Sequence, residues 1–150
     1  MAEPLTFLMG KYPAVLPADR RYCRNHMWCR PAAGSLLRFG FTSYAVRLMQ
    51  DVYFLDWQVN AGDVLALKQL IGHIETSKAM SDLFAPAAGT LVRFNDELLK
   101  DPAAINVDTY GAGWLFDLDA PDAETMEAEA YHRFLDANWE KTQNLLKGHM

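Results

Sequence analysis

Along most of this chain apolar and polar residues alternate in short runs broken by Gly and Pro, the pattern of strands with one buried face. Residues 22–30 read as a strand, 31–35 as a turn, and 36–41 as the return strand of a hairpin. Thr42 and Ser43 then offer caps for a short helix, on which Tyr44/Leu48 and Ala45/Met49 fall at i,i+4 spacing. Residues 51–59, DVYFLDWQV, are aromatic and β-branched, hence a strand, and a turn at Asn60–Asp63 follows. Residues 65–75 read as extended, with Leu65, Leu67 and Leu70 inward, before a turn at 76–79 and a return over 80–85.

After a turn at 87–89 come a strand over 90–94, a short helix in NDELLK capped by Asn95, a loop, and a last strand in WLFDLD. Residues 122–148 lack Pro and any Gly before 148, and Met126, Tyr131, Phe134, Leu135, Trp139, Leu145 and Leu146 make an apolar stripe, so a long C-terminal helix is expected. Residues 1–20, with Pro4, Pro13 and Pro17, read as an irregular lead-in. Many short strands, then one long helix, predict a mainly β fold, a flattened β-barrel or sandwich with short peripheral helices. The whole chain, 1–150, fits one domain.

Composition narrows the function without naming it. A 51% hydrophobic fraction is that of a globular protein, and a net charge of −5 argues against nucleic acid, which is held by Lys and Arg on phosphates. No run approaches the 18 or so apolar residues of a membrane span, and LTFLMG is too short for a signal peptide or an anchor, so a cytoplasmic location without membrane insertion is expected.

Candidate catalysts are few. There is no Gly-rich phosphate loop, G-x-S-x-G or H-E-x-x-H. Asp96 and Glu97 sit where a helix start calls for acids, and His26, His73, His132 and His149 lack ligand spacing. Nothing assembles a nucleophile, an acid and a base, so no catalytic residues and no enzyme are expected.

Cys23-x2-His26-x2-Cys29 invites a metal reading, but on a strand His26 faces away from both cysteines, and no metal site is expected. Read as one strand, Cys23 to Cys29 span about 20 Å, far beyond the ~7 Å between Cα atoms that a disulfide tolerates, so a bridge would need a turn between them. Semi-buried free thiols are the simpler reading.

Lys78 is left, at the tip of the 71–86 hairpin. Schiff-base chemistry needs a desolvated lysine or a cationic neighbour, whereas Glu75 and Asp82 lie close by in sequence. A lysine meant for acylation by another enzyme wants exposure, a two-stranded pedestal and small flanks, which Thr76, Ser77 and Ala79 supply. By composition alone a solvated turn lysine is the simpler reading.

The motifs around it tip that balance. GHIETSKAMSD over residues 72–82 is similar to the lipoylation signature G-x-x-E-S-x-K-A-x-S-D. LFAPAAG over 83–89 is similar to L-[YF]-A-P-x-x-G, and NVDTYGAGWL over 106–115 to N-x-D-x-Y-G-x-G-W-L. In these the chain resembles the glycine cleavage system H protein family, lipoyl carriers with a barrel-sandwich hybrid fold. The resemblance implies lipoic acid in amide linkage on Lys78, with Glu75, Gly89 and Asp82 shaping recognition by a lipoate-protein ligase or other lipoylating enzyme. A plain turn requirement for positive φ is the alternative at Gly89, and a solvated strand end at Glu75. His26 and Trp28 match the S-H-E-W motif and, with Cys23 and Cys29, are candidates for a pocket that receives the arm. A core position is the alternative for Trp28.

Two departures bear on the cargo. Met27 stands where S-H-E-W has its glutamate, and the stretch ahead of Gly72 (VLALKQLI) is several residues longer than the pattern usually has. These, with the two cysteines, look more like the lipoate-binding proteins of bacterial sulfur oxidation, which work with a heterodisulfide reductase-like complex and carry sulfur. A glycine cleavage carrier is the alternative, its partners being glycine decarboxylase, aminomethyltransferase and dihydrolipoamide dehydrogenase. An unmodified interaction module is the third.

Overall fold

The computed structural model describes residues 3–148, with side chains through 144; Leu145 and Leu146 of the expected stripe, and His149, lie outside those described side chains. The chain is mainly β, in three open sheets. β1 (Leu5–Met9) and β2 (Tyr12–Leu16) form a hairpin. β3 (Arg21–Tyr22), β4 (Met27–Pro31), β5 (Leu36–Phe41), β7 (Val64–Leu65), β10 (Gly89–Phe94) and β11 (Phe116–Asp119) build a six-stranded sheet in the order β3-β4-β5-β11-β10-β7. β6 (Val52–Trp57), β8 (Leu70–Thr76) and β9 (Met80–Phe84) build the third. Helices α1 (Ser43–Met49), α2 (Glu97–Lys100), α3 (Ala104–Val107) and the long α4 (Ala128–Gly148) are peripheral. Among the described residues, no helix is long and apolar enough to cross a membrane.

The main core draws on both larger sheets: Phe39 and Phe116 stack at 5.5 Å, and Ile71, Ile74, Leu91 and Leu118 pack with them. A second cluster gathers Phe7, Trp28, Tyr44, Tyr131 and Leu135 where the β1–β2 hairpin and α4 cover one end of the large sheet. Asp117, 1% exposed, is held by a bidentate Arg38 guanidinium at 2.9 and 3.2 Å and by Arg93 at 3.2 Å, so its buried charge is paired.

The expected strands at 36–41, 51–59, 80–85, 90–94 and 114–119 are present, within a residue or two at their ends. Thr42 caps α1, its Oγ1 accepting from the Ala45 amide at 3.1 Å. Five expectations need correcting. The lead-in is the β1–β2 hairpin, because Phe7, Met9, Ala14 and Leu16 alternate inward, and Pro13 sits on a two-stranded ribbon where its missing N–H costs nothing. Residues 22–30 are a hairpin rather than one strand: Cys23 accepts from the His26 amide at 3.0 Å and donates to Met27 O at 2.8 Å, and His26 takes φ 71°. The third sits at 65–75, where β7 and β8 are separated by a turn at Ala66–Gln69 with Lys68 at φ 68°. Leu65 is buried there while Leu67 and Leu70 are exposed. Fourth, the loop after α2 contains the single turn α3, whose Ile105 is fully buried. Finally, α4 begins at Ala128 rather than 122, since Met126 exchanges two 2.8 Å backbone bonds with Tyr22 in a β-bridge.

Candidate functional site

The β8–β9 hairpin places Lys78 in solvent, and its register sets what surrounds it. Glu75 lies opposite Met80, His73 opposite Asp82, and on the other side β6 puts Phe54 beside Glu75 and Asp56 beside His73. One face of this sheet thus carries two rows leading to the tip: Glu75 between the apolar Phe54 and Met80, and His73 between Asp56 and Asp82. Phe54 and Met80 are both exposed.

The tip is braced by one buried side chain. Thr76 Oγ1 accepts from the amides of Lys78 and Ala79, each at 3.2 Å, and donates to Ala79 O at 3.2 Å, while the Thr76 amide donates to the same carbonyl at 2.9 Å. Ser77, Lys78 and Ala79 are all exposed. A short hydroxyl side chain bonding the backbone two and three residues on fixes the turn without any long-range contact. Among the described residues, no carboxylate forms an ion pair with Lys78. What is left is a primary amine on a fixed base, with nothing bulky beside it.

Gly89 opens β10 with a φ outside the left-handed region, so the positive-φ reading is wrong. Its lack of a side chain matters for another reason: a Cβ there would run into the Asp119 carbonyl oxygen and meet Ala120 at 3.1 Å. Glycine is required by close approach of the backbones.

Beside the hairpin runs a groove of about 200 Å³. Ser81 to Phe84 of β9 form one wall, the Asn25–Met27 segment of the β3–β4 hairpin another, and Ala45, Leu48 and Met49 of α1 with Phe41 the rest. Asn25 Nδ2 donates across it to Phe84 O at 3.4 Å. The groove is apolar apart from Asn25, His26, Ser81 and Asp82.

His26 belongs to this wall. It occupies the left-handed bulge position of the β3–β4 turn, which directs its ring to Tyr131, with Nδ1 2.9 Å from the hydroxyl. Tyr131 reaches Thr42 Oγ1 at 3.2 Å, and Thr42 Oγ1 donates to His26 O at 2.9 Å, so the turn, α1 and α4 share one network. Burial lowers the His26 pKa to about 4, so the ring is neutral at pH 7, and burial also raises the Tyr131 phenol.

The other three pocket candidates lie elsewhere. Trp28 is fully buried in the second cluster, its Nε1 donating to Thr109 O at 2.9 Å and its ring stacked under Arg20 at 4.5 Å. Cys23 and Cys29 sit in the main core as free thiols. The alternation that puts Met27 toward the groove turns Trp28 to the opposite face. Among the described residues, no group of three or more His, Cys, Asp or Glu is placed to hold a metal. The sequence reading missed Asn25, Phe41, Leu48 and Phe84 as groove residues. The i,i+4 pair Ala45/Met49 was the available signal: an apolar helix face with only part of it claimed by the core.

The family model described as "Glycine cleavage H-protein" matches residues 20–138. A glycine cleavage system H protein from Mycobacteroides abscessus is 37% identical over 123 residues, covering 82% of this chain and 92% of the relative. One from Alteromonas mediterranea is 35% identical over 125 residues, 81% of this chain and 96% of the relative. The crystal structure of a glycine cleavage system H protein from Mycobacterium marinum superposes with a TM-score of 0.68 at 35% identity, over 77% of this chain and 95% of that one. With most of its length matched in sequence and in fold, the chain belongs to the glycine cleavage H-protein family.

Proposed function

We propose that this chain is a non-enzymatic carrier, a single domain lipoylated on Lys78, which holds the aminomethyl group in glycine cleavage. The observation that carries the reading is the amine of Lys78, exposed on a tip braced by buried Thr76 and set beside an apolar groove. These residues fit lipoic acid: the small flanks leave Nζ open to acylation, and the groove accepts an apolar ring. Bound there as an amide, lipoic acid supplies a dithiolane that interconverts between disulfide and dithiol and so carries a group between enzymes. The protein's own part is positional. The hairpin holds the attachment point clear of the body, and tethering raises the local concentration of the arm at a docked partner.

Glu75 and Asp82 stand on the strands that a lipoylating enzyme must grip to reach Lys78, and Gly89 lets the chain that leaves β9 close against β11. The cytoplasmic partners that this role requires are a lipoate-protein ligase or its equivalent, glycine decarboxylase, aminomethyltransferase and dihydrolipoamide dehydrogenase. Relatives named glycine cleavage system H protein support the aminomethyl cargo over sulfur. The cysteines gave the sulfur reading part of its case, and they lie in the core, away from the groove. Met27 in the groove wall is the observation still in its favour, because a thioether offers no counter-charge to a cationic aminomethyl group.

The test is incubation of the purified chain with lipoate, ATP and lipoate-protein ligase, followed by intact mass. One lipoyl adduct is expected, absent in Lys78→Arg. An unmodified wild type, or an adduct that survives Lys78→Arg, overturns the assignment. Glycine–bicarbonate exchange with glycine decarboxylase then tests the cargo: exchange above the Lys78→Arg background supports aminomethyl carriage, and none points to sulfur.

A further inference from the structure

Beside the lysine, β6 breaks its own alternation. Val52 pairs with Thr76 and Phe54 with Glu75, so Tyr53 is an extra residue, a β-bulge level with the base of the Lys78 turn. Val52 is buried, while Tyr53 and Phe54 are consecutive and both exposed, which a regular strand does not allow. The bulge is held from two sides. Gln50 and Asp51, just ahead of it, take φ 53° and 35°, an uncommon and costly backbone for two successive non-glycine residues. Asn106 Oδ1 accepts from the Val52 amide at 3.0 Å, and its Nδ2 donates to Val52 O at 2.8 Å. A side chain thus takes the place of a neighbouring strand at this edge of the sheet.

The result is an apolar patch around a carboxylate. Tyr53 is 60% exposed, Phe54 41% and Met80 61%, with Phe54 and Met80 flanking Glu75 on the adjacent strands. Single exposed apolar side chains are ordinary on a protein surface, but three large ones grouped at the end of one sheet, next to Lys78, mark a surface for contact. Among the described residues, no cation pairs with Glu75.

We infer that Tyr53, Phe54 and Met80 are the apolar recognition surface for the enzyme that acylates Lys78, with Tyr53 as a specificity-determining residue; the inference rests on the carrier reading. The occupant follows from reach. In acyl transfer Lys78 Nζ, its ammonium proton given up to solvent, attacks the carbonyl of lipoyl adenylate. The amide C–N bond forms, the bond from the carbonyl to adenylate breaks, and AMP leaves. Nζ must enter the catalytic site on the lysine stem alone, so the enzyme is pressed against the residues beside the turn. Enzymes that meet the loaded arm act a lipoyl chain's length further out and need not touch them. Tyrosine suits the role, because it offers a large apolar face at low cost in side-chain entropy. The complementary surface on the enzyme is an apolar depression with a basic residue for Glu75.

The test is lipoylation of the full chain by lipoate-protein ligase with lipoate and ATP, with initial rates followed by intact mass over a range of carrier concentrations. Tyr53→Ser should lower kcat/KM about tenfold, through KM at unchanged kcat. Met80→Ser should act in the same direction, and Tyr53→Phe should stay close to wild type. All are exposed positions, so thermal midpoints should stay together. Acetylation of Lys78 by an N-hydroxysuccinimide ester needs the amine and no docking surface, and it should not distinguish these proteins. An unchanged KM in Tyr53→Ser, a loss confined to kcat, or an equal loss in chemical acetylation would each overturn the inference. A wild type that takes no lipoyl group removes the carrier reading and this inference with it. A wild type that does, with serine variants indistinguishable from it, overturns the inference alone.

Discussion

Two tight hairpins border the groove, and they use their turns in opposite ways. At the β8–β9 tip the chain spends one buried residue, Thr76, to hold three exposed ones in place, and Lys78 points into solvent. At the β3–β4 turn the exposed residues are Arg24 and Asn25, and the chemistry-bearing side chains point inward: His26 to Tyr131, Cys23 into the main core. One turn is a pedestal, stable because its own backbone is satisfied locally. The other is a keystone, stable because α1, α4 and β5 close around it. A pedestal should tolerate loss of the functional side chain without loss of the fold, whereas a keystone should not tolerate loss of what packs on it.

The hardest test of the keystone is Trp28→Ala. Trp28 fills the space under Arg20 and against Gly40, where its ring leaves no room for a Cβ, and its Nε1 satisfies Thr109 O. Removing a fully buried indole leaves a cavity and an unpaired carbonyl, for an expected loss of about 3–5 kcal/mol in urea unfolding. A loss below about 1 kcal/mol would show that this hairpin is no more integral than the lipoyl one.

A smaller effect comes from protons. The His26 pKa falls from 6.5 in the unfolded chain to about 4 in the fold, because burial disfavours the imidazolium. Between those values the unfolded state binds more protons, so stability rises with pH. The contribution is fully present above about pH 6.5 and is lost as pH falls toward 4, about 2 kcal/mol once the ring's partial exposure is allowed for. Urea unfolding at pH 7 and pH 4.5 should show this slope in the wild type and lose that part of it in His26→Gln. An unchanged slope in the variant would place the proton elsewhere.

The pedestal was legible in the sequence and the keystone was not, for a physical reason. Lys78, its flanks and its turn are contiguous, and local hydrogen bonding is written in local residues. The groove is assembled from β4, β9 and α1, and whether Trp28 faces the groove or the core depends on a register set by the β3–β4 turn. That turn was hidden because His26 holds the left-handed position in which glycine is the usual signal. One consequence follows from the missed turn: Trp28 and the cysteines are expected in the arm pocket, whereas they lie in the core. The lead-in failed similarly, since Pro13 was weighed as a breaker while the alternation of Phe7, Met9, Ala14 and Leu16 went unused.

Thr76 gives the smallest expected effect, and it asks whether the pedestal's rigidity matters to its role. Thr76→Val keeps shape and burial and removes Oγ1, so the Lys78 and Ala79 amides lose their acceptor. Both are exposed and turn to water, so the cost should be about 1 kcal/mol rather than the sum of three buried bonds. Freed of that brace, the tip samples more conformations, and a lipoylating enzyme must select the competent one. Lipoylation of Thr76→Val should therefore slow several-fold, through a lower apparent affinity at unchanged maximal rate. Thr76→Ser, which retains the hydroxyl, should restore it. Equal rates for all three proteins would mean that the enzyme grips the strands and is indifferent to the turn, which would move recognition onto the Glu75–Met80 and His73–Asp82 rows.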